Sequence, residues 1–262
     1  MPAISSPGGQ MQWIFLSPHL DDAALSCGGL IAERTRMGDS VEIWTICAGD
    51  PPPGPLSAFA QSLHKRWGVR RNAAAVRRSE DQQSCQRLGA AARHFAIPDC
   101  IYRRIPLTGD PLIIDNDDLF QPLPDSQRRL VDSLRGQLAT ALPLKSLVVS
   151  PLTLGNHIDH QLVRRAAEQP GRPLLYYADY PYTVQSNSAW AQSIHPGWQT
   201  FTQAISPEGL RAWQEAAAAH RSQISTFWTS VSEMEAAIQS YYEAGGGCKL
   251  WGDRNALTIT NL

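Results

Sequence analysis

Residues 17–22 read Ser17-Pro18-His19-Leu20-Asp21-Asp22, and the interpretation of the whole chain turns on them. An apolar run, Trp13-Ile14-Phe15-Leu16, comes before, and a helical pattern over 23–36 comes after. A His and two Asp therefore sit where a strand ends and a helix begins. In an open α/β sheet, ligands bind at that edge. One His and two carboxylates at i, i+2 and i+3 can share a metal ion and still leave one carboxylate free to act as a base. A plainer reading competes with this one. An Asp before a helix is most often an N-cap, and a His before it is often only a turn residue.

Outward from this stretch, residues 12–17 predict a buried strand, 22–37 a helix and 40–47 (SVEIWTIC) a second strand. Strand, helix and strand in so few residues make a βαβ unit with a parallel pair. Gly28-Gly29 falls inside the helix, where each glycine costs about 1 kcal/mol, so a close packing contact or a nearby ligand is expected there. Residues 48–68 form a long loop opened by prolines, with a short helix over 57–67. Loops at the carboxyl end of a strand are more often functional than idle. A helix over 71–88 ends at Gly89, and a strand over 94–97 stops at Pro98. Residues 100–125 are irregular, 126–142 helical and 145–150 a buried strand. A helix then runs from 156 to about 168, followed by a strand over 173–177. Residues 178–200 are irregular and aromatic-rich, and 199–204 read as strand. Helices cover 207–223 and on to about 243, and a last strand is expected over 256–260.

This alternation predicts one domain over 1–262: a Rossmann-like open α/β sheet, mostly parallel, with helices on both faces. Residues 1–10 are small and polar and are expected to be flexible. They lack the basic and apolar regions of a signal peptide. Hydrophobic residues make up 43% and charged residues 18%, and the net charge is −1, so nothing points to nucleic acid or a membrane surface. No apolar run is long enough to span a membrane. The five cysteines are scattered without a Cys-x-x-Cys pair, which argues against a disulfide framework or a thiolate zinc site. A cytoplasmic protein with reduced thiols is expected.

A second polar cluster, Asn156-His157-Ile158-Asp159-His160, repeats the placement of the first: after an apolar strand, at the start of a helix. Parallel strands put both ends on one rim, so the clusters can meet. If His157 and His160 are both helical they share a face; if His157 lies on the preceding turn it points at the rim separately. A His/Asp/His set makes a three-ligand zinc site with the fourth position open. Here too Asp159 could simply cap its helix.

The two motifs together resemble the PIG-L/LmbE-like de-N-acetylases, zinc amidases acting on N-acetylglucosamine conjugates. The family's His-Pro-Asp-Asp-Glu is met as His19-Leu20-Asp21-Asp22-Ala23, and its His-x-Asp-His as His157-Ile158-Asp159-His160. Arg77-Arg78-Ser79-Glu80 and Pro98-Asp99 resemble its middle helix and the loop after it. His220-Arg221-Ser222-Gln223 resembles a late stretch. The resemblance implies His19, Asp22 and His160 as ligands of Zn2+, with another divalent metal such as Fe2+ open. It implies Asp21 as general base, His157 as the group that protonates or stabilises developing charge, and Asp159 as the residue orienting a neighbouring His. Leu20 and Ala23 depart from the family's Pro and Glu, neither at a ligand position.

In the chemistry this implies, zinc brings the pKa of water to about 7, Asp21 takes the proton, and a cationic His157 faces the oxyanion. Arg77 and Arg78 can bind substrate hydroxyls or phosphate, against the plainer reading of a solvated helix face. Asp99 can accept sugar hydroxyls or simply shape a turn. His64 and Trp67 are candidate lid residues, and Tyr176, Tyr177, Tyr180, Tyr182, Trp190 and Trp198 can face a sugar or pack internally. The expected partner is a small-molecule glycoconjugate, and self-association into a homo-oligomer is open. The competing functions are a metal phosphoesterase, which would want more carboxylates, and a non-catalytic sugar- or metabolite-binding protein of the same fold.

Overall fold

β1 (Gln12–Ser17) lies at the centre of the sheet and shows how the layers are built. Its side chains alternate between faces. Trp13 and Phe15 enter one hydrophobic core, Ile14 and Leu16 the other. In this computed structural model, residues 10–69, 71–168, 171–185 and 194–257 are described. The stretch 1–9 and Trp190 lie outside them.

β1 is followed by α1 (Asp22–Arg36) and β2 (Ser40–Thr45), which pairs parallel to β1 with Gln12 opposite Ser40. α2 (Ala58–Arg66) and α3 (Ala73–Leu88) lead to β3 (Ala91–His94) at the sheet edge. α4 (Arg128–Ala141), β4 (Ser146–Pro151), α5 (Ile158–Ala167) and β5 (Leu175–Tyr177) build outward on the other side of β1, again parallel. The sheet order is β3-β2-β1-β4-β5-β7-β6, with β6 (Gln199–Thr202) and β7 (Lys249–Gly252) antiparallel. α6 (Tyr182–Gln185) follows β5, and α7 (Pro207–Ala219), α8 (Arg221–Phe227) and α9 (Val231–Glu243) lie between β6 and β7. α1, α3 and α7 cover one face; α2, α4 and α5 supply apolar residues to the core on the other. Successive connections leave β1 toward β2 on one side while β4 pairs on the other, which opens a crevice at the carboxyl ends of β1 and β4. Both polar clusters follow them. No helix among the described residues is long and apolar enough to cross a membrane.

Gly28 and Gly29 owe their place to packing. α1 leaves helical geometry at Cys27 (φ −139°, ψ 18°), and the fully buried Trp213 of α7 lies against both glycines. Its Nε1 donates to Leu25 O at 3.1 Å, so the ring is fixed. A methyl group at Gly28 would stand 2.4 Å from Trp213 Cδ1. Gly28→Ala gains about 1 kcal/mol of helix propensity, but overpacking against an immobile ring costs about 1–3 kcal/mol. The expected result is a lower melting temperature; a Tm at or above the parent's would show that Trp213 yields.

Several boundaries differ from expectation. β3 covers 91–94 rather than 94–97. Its sequence, AARH, carries no apolar alternation because the strand is an exposed edge, while the apolar 95–97 join β2's extension only through isolated bridges such as Cys47–Ala96. The helix expected over 207–223 breaks at His220 (ψ 57°) into α7 and α8. Among the described residues the last strand is β7, at 249–252 just beyond the glycine run. Ala256 lies in a short 3-10 turn (Arg254–Leu257), and 258–260 fall outside the described residues.

Candidate metal centre and active site

The capping question is answered by Ser17. Asp21 occupies the N-cap position of α1, but its carboxylate makes no capping hydrogen bond. Ser17 Oγ accepts from Ala23 N at 3.1 Å instead. Asp21 is thus released toward the crevice. Ala23, where the family motif has Glu, is buried in the core. The same logic holds in the second cluster. His157 is the N-cap of α5, its Nδ1 accepting from Asp159 N at 3.2 Å, so Asp159 is not spent on capping.

The two clusters meet at Asp22. Its Oδ2 accepts from His19 N at 2.7 Å and lies 3.1 Å from His19 Nδ1 and 3.3 Å from His160 Nε2. Each imidazole is held by its other nitrogen. Asp159 Oδ2 accepts from His19 Nε2 at 3.1 Å, and Asp179 Oδ1 accepts from His160 Nδ1 at 2.6 Å. Asp159 is itself fixed by Cys100 N, at 2.9 Å, and by an ion pair with Arg103. Asp179 Oδ2 accepts from Leu154 N at 2.9 Å. Carboxylates that orient imidazoles from behind are the usual outer support of metal-binding histidines.

The donor set fits a divalent cation. The separations of 3.1 and 3.3 Å match the ~3.3 Å edges of a tetrahedron with ~2.0–2.1 Å bonds. His160 Nε2 is fully buried, and its 3.3 Å approach to Asp22 Oδ2 lacks hydrogen-bond geometry, so a cation between the two would satisfy both. Five buried acids (Asp21, Asp22, Asp99, Asp159 and Asp179) surround the point, against two buried arginines, Arg77 and Arg103. The nitrogens of His157 also come within 4.8 Å of those of His19 and His160. A second close group, His19, Asp99 and Asp159, makes a poor site because Arg103 already neutralises Asp159 and Arg77 lies 3.3 Å from Asp99. Among the described residues, then, the second group of donors is already engaged by arginines, which disfavours the two-metal arrangement of a phosphoesterase.

The electrostatics divide the carboxylates. Burial and the adjacent Asp22 push Asp21 up to about 6, against the pull of Arg77, 3.8 Å away. Burial also opposes charge on Asp22, but His160 and His19 win and hold it well below the usual carboxylate range. Burial works against charge on His160, and Asp22 with Asp179 overcomes it to bring the ring up to about 9. His157 goes the other way: burial and the charges of His19 and His160 hold it well below its ordinary value. With Nδ1 accepting the Asp159 N–H, the neutral form of the ring carries its proton on Nε2.

The pocket over these groups has a volume of about 310 Å³. Its walls come from the three irregular stretches and one more: Leu63 and Trp67, Leu119 and Phe120, Tyr182, and Phe227 of α8. Asp99 reaches it, as does Arg77, which is committed to Asp21, Asp99 and the Trp67 ring. Arg78 does not. It turns away to donate to Ala48 O at 2.7 Å and Asp50 Oδ1 at 2.8 Å, pinning the loop. His64 is likewise not a lid residue, since its Nε2 pairs with Tyr102 OH at 2.6 Å. Of the late aromatics, Tyr182 lines the pocket, while Tyr176 stacks on Trp198 and Tyr177 donates to Leu16 O. Gln223, from the late stretch singled out in the sequence, also lines the pocket, whereas Asp179, Arg103 and Phe227 carry no motif that points to them. Asp179 has only a positional signal, since it follows β5 as His19 follows β1.

A mostly parallel sheet that gathers His19, Asp22 and His160 at its switch point, with the carboxylate of Asp21 beside them free of capping, has the arrangement expected of a metal-dependent deacetylase. The chain belongs to the PIG-L family (GlcNAc-PI de-N-acetylase), which matches residues 14–170, more than half of it. It is similar to 2'-N-acetylparomamine deacetylase of Niallia circulans, 30% identical over 71% of this chain and 72% of that protein. The enzyme of the same name from Streptomyces fradiae is 29% identical over 67% of this chain and 59% of its own length. The crystal structure of a zinc-inhibited form of teicoplanin deacetylase aligns with a TM-score of 0.76 at 28% identity, over 92% of this chain and 97% of that one. The family, the sheet architecture and the deacetylase class read from the sequence are all met.

Proposed function

We propose that the chain hydrolyses the N-acetyl group of an amino-sugar glycoconjugate, using Zn2+ held by His19, Asp22 and His160. The observation that carries this reading is the convergence of two oriented imidazoles on Asp22 with Asp21 left free beside them. The relatives' names, deacetylases of 2'-N-acetylparomamine and of teicoplanin, support an amino-sugar conjugate as substrate. The chain works as a single domain in the cytoplasm, in keeping with its free, buried cysteines.

A divalent cation there supplies Lewis acidity, polarising a carbonyl and lowering the pKa of water toward neutrality. The protein's own groups do the rest. Asp21 removes the proton from the attacking water, and Arg77 holds the carboxylate in place. The His157 Nε2–H donates to the oxygen on which charge develops, its ring fixed by the Asp159 N–H at Nδ1. Asp21 then returns its proton to the departing amine, which leaves poorly without one. Trp67, Phe120, Tyr182 and Phe227 exclude bulk water around these steps.

The test is acetate release from 2'-N-acetylparomamine and from simple N-acetylglucosaminides, before and after chelation. Activity is expected to vanish with chelator and return with about one equivalent of metal, Zn2+ and Fe2+ being compared. Zinc is titrated from below one equivalent because a similar enzyme is known in a zinc-inhibited form. A protein that takes up no metal and releases no acetate from any of these substrates would sink the proposal.

A further inference from the structure

A second and larger cleft, of about 620 Å³, adjoins the catalytic pocket. Phe227 lines both. Tyr182 faces the catalytic pocket while its neighbours Pro181, Thr183 and Val184 line the cleft. The rings of Tyr182 and Phe227 meet edge to face, 6.3 Å apart, and form the partition. The cleft's other walls include Tyr180, Trp228, Tyr241 and Trp251, with Lys249 beside them. Tyr180 stacks on Tyr241 at 4.3 Å and near-parallel to Trp228 at 6.1 Å. Val184, also on the cleft, is 64% exposed. Nothing in the chemistry of the metal centre uses this surface.

We propose that the cleft binds an aromatic aglycone of the glycoconjugate whose amino sugar fills the catalytic pocket; this rests on the reading of the chain as an amino-sugar deacetylase. At about 310 Å³ the catalytic pocket is at the lower end of the ~300–1,000 Å³ range of small-molecule sites, so the rest of a larger conjugate must leave it. The apolar surface across Phe227 is the adjoining place for it to go. Flat, stacked rings favour another ring over an alkyl chain, and Lys249 suits a phenolate or carboxylate carried on that ring. At about 620 Å³ the cleft lies within the size range of small-molecule sites.

Binding so far from the scissile bond is shared by ground and transition states, so it lowers KM and leaves kcat alone. The probes are the methyl and 2-naphthyl glycosides of N-acetylglucosamine, and 8-anilinonaphthalene-1-sulfonate as a fluorescent aromatic anion. The variants are Ser240→Trp and Val184→Asp, both at exposed positions on the cleft and away from the metal residues. In the parent, KM for the naphthyl glycoside should be about tenfold below that for the methyl glycoside at similar kcat, as burial of one ring predicts. Both variants should erase that difference and leave the methyl glycoside's kinetics unchanged. The dye should bind the parent at one site, be displaced by the naphthyl glycoside but not the methyl one, and fail to bind the variants.

Equal KM values in the parent, or variants that keep the naphthyl preference, overturn the proposal. An octyl glycoside preferred over the naphthyl one, with the preference lost in the variants, makes an alkyl chain the occupant and overturns the aromatic assignment. If neither glycoside is hydrolysed, the deacetylase reading is what fails, and dye displacement alone decides whether the cleft takes an aryl sugar.

Discussion

Asp21→Asn is expected to bind metal as the parent does and to lose about 10²- to 10⁴-fold in kcat, the usual contribution of a positioned general base. The amide keeps the size of the carboxylate and cannot accept a proton. Stability should change little, because Asp21 caps nothing: Ser17 Oγ takes the Ala23 N–H. Arg77 loses one carboxylate but keeps Asp99 at 3.3 Å, so the site is not left with an unpaired buried cation. Two measurements check this, metal content after dialysis and single-turnover acetate release. Parental turnover would show that another group moves the proton. Loss of metal would mean that Asp21 is a ligand and that the division of labour with Asp22 is wrong.

His160→Ala should abolish stoichiometric metal binding and, with it, all turnover, since it removes one of the three proposed ligands and leaves Asp22 with a single imidazole partner. The graded companion is Asp179→Asn, which keeps the acceptor for Leu154 N but weakens the grip on His160 Nδ1. Loss of an orienting carboxylate typically costs about 10–100-fold in metal affinity. Asp159 is a less clean probe of the same idea, because its removal strands the buried Arg103. A competition titration against a zinc-binding dye reads both variants. The order parent, Asp179→Asn, His160→Ala in falling affinity is required; equal affinities in parent and Asp179→Asn would reduce Asp179 to a packing residue.

The architecture was readable because β1, β2 and β4 are buried on both faces, and such strands are continuous apolar runs ending at polar residues. The same rule found both clusters. β5 is only three residues long, too short a run to mark its carboxyl end, so Asp179 is less legible. Whether Asp21 or Ser17 caps α1 could not be read, since both are good capping residues and only the turn between them decides. Arg103 lies in a Pro- and Asp-rich stretch with no periodicity, so nothing local connects it with Asp159, 56 residues on. The exposed edge strand β3 and the short β7 lack pattern for a related reason: their pairing is dictated by neighbours rather than by their own side chains. The downward pull on the His157 pKa comes from burial and from two other histidines, which no linear motif encodes.

Asp179 has one more attachment. Its carbonyl oxygen accepts from Thr183 N at 3.0 Å, in α6, the helix whose Tyr182 walls the pocket. Its neighbour Tyr180 is tied through its N–H to Ser26 Oγ of α1, also at 3.0 Å. One residue thus aims a metal ligand with its side chain and anchors a pocket wall with its backbone. Any displacement of this wall therefore pulls on the backbone of the acid that holds His160. A guest that displaced it would alter cation affinity, and by reciprocity the cation would alter the guest's affinity by the same factor.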